Sequence, residues 1–187
     1  MSALTLTHAR FLLLETIRVP VALIGTLFFP AVAMLFFVVP FAGDDPTAAT
    51  YATASMVTFA VMTSNLFGHG VGVSADRALP WDAYTRTLPA GPGPRFAGRL
   101  IVGLIMTVAS LVPVVVIAAL LTEASTTLLG LLLGAGAALV AAIPFALMGL
   151  AVGYGLPMKA ALAVVQVLFF PMAFLGGLMS SPVNPPA

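Results

Sequence analysis

Side chains able to do chemistry are scarce in this chain, and their places limit the chemistry open to it. It has no cysteine, so thiolate metal clusters, cysteine nucleophiles and disulfides are all excluded. Its two histidines, His8 and His69, lie on different segments and offer too few ligands for a metal. A hydrolytic triad of Ser74, His69 and Asp76 has no supporting motif. The only lysine, Lys159, stands in Pro157-Met158-Lys159-Ala160. A phosphate-binding loop ends in Gly-Lys-Ser/Thr, so the chain does not hydrolyse ATP by that route. Gly68, Gly70 and Gly72 superficially suggest a phosphate loop, but no strand precedes them, and they read as small residues that let helices approach closely. No metal site and no cofactor are expected.

Polar groups inside apolar stretches are the remaining candidates. Every acidic residue falls in a loop or leader, whereas proton- or sodium-coupled carriers usually place a carboxylate within the membrane. Asn65, His69 and Gln166 are the larger polar side chains within apolar runs. They read either as part of a substrate path or as helix-to-helix hydrogen bonds worth about 0.6 to 2 kcal/mol each. His69 alone among them is of a type able to titrate near neutrality, and it too reads as a packed, hydrogen-bonded histidine.

The elements that position these groups follow from composition. Of 187 residues, 61% are hydrophobic and 7% charged, against roughly 45–50% and about 25% in soluble domains. With a mean hydropathy of +1.15, the polar surface needed to cover a water-soluble globule is missing. A hydrocarbon core about 30 Å thick takes roughly 20 helical residues to cross. Five uncharged apolar runs meet that length: Val19 to Phe41, Tyr51 to Val73, Leu100 to Leu121, Leu128 to Tyr154 and Ala160 to Met179. Their continuity argues for helices over barrel strands. The expectation is an all-α, polytopic membrane bundle forming one domain over residues 1–187.

Charge orients it. Arg10, Arg18, Arg77, Arg86, Arg95, Arg99 and Lys159 all fall on one side, with Glu15, Asp76 and Asp82. The other side holds Asp44, Asp45 and Glu123 and nothing basic. By the positive-inside rule the N-terminus and the segments around Trp81 and Lys159 are cytoplasmic. The first run is too long, and its leader too extended, for a cleaved signal peptide. The net charge of +1 offers no clustered basic face for nucleic acid. An odd number of spans puts the C-terminus outside.

Two segments do not read as lipid-facing helix. In residues 1–18, Leu6, Ala9, Leu13 and Ile17 recur at helical spacing opposite His8, Glu15 and Arg18, which suggests either an interfacial helix or a polar extension of the first span. Residues 74–99 hold six charged residues and the only tryptophan. Pro80 can open a helical turn through Trp81 to Leu88, and Pro89 with Gly91-Pro92-Gly93-Pro94 must stop it. Trp81, Tyr84 and Leu88 would form one apolar stripe, flanked by Asp82 and Arg86 as an i,i+4 ion pair. Such a stripe either fills a partner's cleft or sits among lipid headgroups.

These residues carry a resemblance. Asp76-Arg77, then Trp81, then Arg86-Thr87-Leu88-Pro89 resemble the cytoplasmic loop of ABC-2 type transporter permeases. Ile143-Pro144-Phe145-Ala146-Leu147-Met148-Gly149-Leu150-Ala151-Val152-Gly153 and Phe170-Pro171-Met172-Ala173-Phe174-Leu175-Gly176-Gly177-Leu178, followed by Pro182, agree with it. The chain is similar over nearly its whole length to the daunorubicin-resistance type of drug-efflux permease. The motifs are short and apolar, and they point to the family and not to a cargo. The resemblance implies a bacterial inner-membrane subunit that pairs with a second permease and with two ATP-binding subunits, and exports an amphipathic substrate by alternating access. It implies that the loop after the second span is a coupling helix seated in the ATPase, with Asp76, Arg77, Trp81, Asp82, Tyr84 and Arg86 as the docking set. The family ordinarily has six spans. The sixth is missing here, so a fragment or truncated variant is expected. The rival readings are a non-transport membrane protein, such as an assembly factor or sensor anchor, a secondary carrier, and a membrane-bound enzyme.

Overall fold

A computed structural model describes residues 3–87 and 91–178, with the side chains of residues 20–26 and 86 outside that description. All of its regular elements among the described residues are helical: α1 Ala3–Arg18, α2 Pro20–Ala33, a π-helical turn Met34–Val38, α3 Val39–Ala42, α4 Pro46–Arg77, α5 Trp81–Arg86, α6 Pro92–Leu121, α7 Leu128–Gly155 and α8 Met158–Leu175. By length and composition, α4, α6, α7 and α8 can each cross a membrane. Four of the five expected spans are therefore present as long apolar helices.

The first expected span takes a different form. Its path is helical from Pro20 to Ala42 but is interrupted by the π turn, where the Val39 N–H bonds the Met34 carbonyl five residues back. Pro40 supplies the reason. It has no N–H for the Phe36 carbonyl and its ring would press on that carbonyl, so the wider turn relieves both conflicts. The apolar part, Leu27–Ala42, is shorter than the other four helices.

Helix ends also differ from the hydropathy limits. Asp45 caps α4, its Oδ1 accepting from the N–H groups of Thr47 at 2.8 Å and Ala48 at 3.0 Å, and Pro46 takes the first helical position, where a missing N–H costs nothing. At its other end α4 runs on through Ser74 to Arg77. Likewise α6 starts at Pro92, eight residues before the apolar run. The expected connector of residues 74–99 thus loses both flanks to long helices, and Pro92 begins a helix as well as following one. Leu88 and Pro89 lie outside the described residues.

The least apolar of the four long helices is the most buried. The most apolar window of α4 has a mean hydropathy of 1.2 and is 67% buried, while that of α7 has 2.3 and is 17% buried. In lipid the less apolar helix goes inside, because its polar groups find partners only in protein. Accordingly α4 is central and packs against α7, α6, α8 and α2. Phe169 of α8 sits edge-on between Phe59 and Phe67, with ring centroids 5.3 and 5.5 Å away.

Small residues set the α4–α7 contact. A Cβ at Gly149 would lie 2.5 Å from the Asn65 carbonyl oxygen, and one at Gly153 would collide with the His69 carbonyl oxygen. Gly70 faces Val165 and Gly149 from the other side. Gly68 and Gly72, also expected to serve packing, have open space where a Cβ would stand, as do Gly134 and Gly136 of α7.

Helix α1 lies along α6, with His8 and Ala9 against Gly98, and Ala9 buried with Val102 and Met106. Its buried face is Thr5 and Ala9, supported by Leu12 and Leu13, while Leu6 and Ile17 are exposed. The expected stripe of Leu6, Ala9, Leu13 and Ile17 is therefore rotated. At the close approach to Gly98 only a small side chain fits, so Ala9 fixes the face and the larger residues turn outward.

Candidate functional site

The charged residues of the short connector converge where α1, the end of α4, α5 and the start of α6 meet. Asp76 Oδ2 pairs with Arg99 at 2.8 Å. Asp82 Oδ1 pairs with Arg95 at 3.0 Å, and the same guanidinium donates to Thr85 Oγ1 at 2.9 Å. Arg95 thus holds α5 at two points one turn apart, which fixes a six-residue helix too short to persist alone. Asp82 is buried, and Trp81 and Tyr84 are exposed at 58% and 68%. The expected ion pair of Asp82 is with Arg86, whose side chain lies outside the described residues; among the described residues Asp82 also pairs with Arg95.

Arg77 points elsewhere. Its Nη1 donates to the carbonyls of Gly153 at 2.9 Å and Leu156 at 3.5 Å, at the C-terminal end of α7. Those carbonyls lack helical partners and carry the negative end of the helix dipole, so a guanidinium there is favourable. Consecutive residues of α4 therefore tie it to two helices, Asp76 to α6 and Arg77 to α7.

Of the six residues expected to dock a partner, Trp81 and Tyr84 present free surface, while Asp76, Arg77 and Asp82 bind within the chain. The structure brings Asp76, Trp81 and Asp82 to one cleft of about 190 Å³, and adds His8, Glu15, Arg95 and Arg99 to its lining. Sequence reasoning used Arg95 and Arg99 only as topology signals. Their i,i+4 spacing, opposite the acids Asp76 and Asp82, was the available clue to pairing. A double-mutant cycle on Asp82→Ala and Arg95→Ala should return a coupling of about 1 kcal/mol. Denaturation followed through the fluorescence of Trp81, the only tryptophan, would measure it, and additive effects would show the pair to be idle.

Within the membrane-spanning region, Asn65 Nδ2 donates to the Val61 carbonyl and to Thr107 Oγ1, both at 2.9 Å. Thr107 Oγ1 in turn donates a hydrogen bond to the Gly103 carbonyl at 2.8 Å. One turn along α4, the His69 ring lies over Gly103, so close that a Cβ there would collide with Nε2. Asn65 Oδ1, His69 Nε2 and Ser64 Oγ are buried without a hydrogen-bond partner. Asn65 and His69 thus come together at the α4–α6 contact. Gln166 does not join them, and is exposed on α8. A second, wholly apolar groove of about 500 Å³ runs between α6 and α7, lined by Leu104, Ile105, Val108, Leu139, Val140 and Ile143. No group of three His, Cys, Asp or Glu side chains among the described residues could hold a metal ion.

Comparison with family models, with curated proteins and with solved structures finds no match for this chain.

Proposed function

We propose that this chain is a permease subunit of an ABC-2 type exporter in a bacterial inner membrane, with its N-terminus and α5 in the cytoplasm. It forms part of the path for an amphipathic substrate, together with a second permease copy, and is driven by two copies of a separate ATP-binding subunit. The observation that carries the reading is α5. It is a short helix on the arginine-rich side, braced from behind by Arg95, with Trp81 and Tyr84 standing free. An exposed aromatic pair on a braced support is what a docking helix needs, because rigid aromatics contribute contact area at little entropic cost. The seven basic residues, all on that side, support the orientation. The scarcity of catalytic groups supports a partner as the source of energy.

Co-expression with an ATP-binding subunit encoded beside this chain tests the reading. Trp81→Ala should reduce its co-purification roughly tenfold, in line with a loss of about 1.4 kcal/mol or more at an aromatic anchor, and Arg86→Ala should weaken it in the same sense. Undiminished retention in both variants, or the absence of any neighbouring ATP-binding subunit, would remove the basis for the proposal.

A further inference from the structure

The cleft beneath α5 has a composition that its internal ion pairs do not use up. Arg95 and Arg99 are each matched by an acid, Asp82 and Asp76. Glu15 also lines the cleft and is exposed, and its carboxylate has neither ion pair nor hydrogen bond among the described residues. Phe11, 65% exposed, and the exposed indole of Trp81 line the same cleft, as does His8. A carboxylate with no ion-pair partner, in a cleft that also holds two aromatic side chains, is unsuited to an anion. It suits a flat cation, which can lie against an aromatic face while its N–H groups meet the carboxylate.

We infer that this cleft receives the guanidinium of an arginine side chain projecting from the docked partner protein, stacked between Phe11 and Trp81 and paired with Glu15. The inference rests on the docking reading above and names what the partner must present there. About 190 Å³ accommodates a single long side chain, whereas a helix some 10 Å across does not enter. Arginine fits better than lysine, because a guanidinium is planar, more weakly hydrated, and able to meet a carboxylate with two N–H groups. Placing the contact between α1 and α5 also gives α1 a part in docking: the partner's arginine would bridge the N-terminal helix to the helix that carries Trp81.

Trp81 makes the test direct, since its fluorescence is the chain's only indole signal. The full chain in phosphatidylcholine nanodiscs is titrated with capped Ala-Arg-Ala, and with the same peptide carrying citrulline, the neutral isostere. A saturable change in Trp81 emission is expected with arginine, about fivefold weaker with citrulline, and lost in Glu15→Gln. Phe11→Ala should weaken it as well. Both substitutions lie on exposed positions, so circular dichroism should match that of the parent. Equal responses to the two peptides, or an unchanged response in Glu15→Gln, would overturn the inference. So would a Trp81 shift that follows phosphatidylethanolamine in the disc and ignores the arginine peptide, which would assign the cleft to lipid headgroups. If arginine binds but no ATP-binding subunit is retained, the cleft chemistry stands and the exporter reading falls. If the subunit is retained with no arginine response, the reverse holds.

Discussion

Leucine at position 153 is expected to cost about 3 kcal/mol of stability and most of the yield of monodisperse protein. Gly153 faces the backbone of α4, where even a Cβ would collide with the His69 carbonyl oxygen and come within 2.8 Å of Val73 Cβ. Backbone does not move aside as a side-chain tip does, so α7 would have to separate from α4 along the longest contact in the bundle. The same separation would pull the Gly153 and Leu156 carbonyls away from Arg77. Gly134→Leu, on the same helix but with open space at its Cβ position, is the control and should be neutral. Thermal unfolding of both variants in nanodiscs decides the matter; equal midpoints would mean that α4 and α7 do not pack this way.

What the sequence disclosed follows from what its residues report. An uncharged run of about 20 residues reports the thickness of hydrocarbon, so Leu128 to Tyr154 and Leu100 to Leu121 translate almost directly into α7 and the apolar part of α6. Charges, by contrast, end a hydropathy run without ending a helix. Asp76 and Arg77 are still helical in α4, and Arg95 and Arg99 already helical in α6, because at that end the charges pair with each other and with helix carbonyls. That is why the connector read as long and is short. The break in the first span was hidden for another reason: a proline within an apolar run leaves open whether the helix kinks, yields to a cavity or widens to a π turn, which depends on neighbouring helices.

Glycine and glutamine show the same limit at the level of single positions. Gly68, Gly70 and Gly72 are alike in sequence, yet only Gly70 faces another helix, since a helix of this composition has too weak a polarity contrast to reveal which side is inside. Asn65, His69 and Gln166 looked equivalent as polar groups in apolar runs, and the bundle separates them. Asn65 and His69 lie buried on the central helix, where Asn65 bonds Val61 and Thr107, and Gln166 is exposed on a peripheral one. Trp81 and Asp82 were legible as neighbours of interest because of residue type. The involvement of Glu15 and His8 was not, because it depends on α1 folding back along α6, a contact set by Ala9 and Gly98 with no periodic signal of its own.

The pair of His69 and Gly103 yields the second large expected effect and separates the two readings of His69. Gly103→Val is expected to destabilise the chain by about 2 kcal/mol, because the added methyl groups enter the space now filled by the imidazole. The ring has little room to retreat, being 6% exposed and held on its other side by α7, where a Cβ at Gly149 would already stand 3.0 Å from His69 Cβ. His69→Ala alone should also destabilise, through the cavity it leaves. Combined with Gly103→Val it should recover much of the loss, because valine then occupies the vacated volume. Unfolding midpoints of the two single variants and the double variant in nanodiscs give the coupling, which should be strongly favourable. If instead His69 lines an open, water-filled path, its ring can swing away, Gly103→Val will be tolerated, and the double variant will show no rescue. A packed histidine and a path-lining histidine thus differ in the sign and size of one measurable coupling, independently of any transport assay.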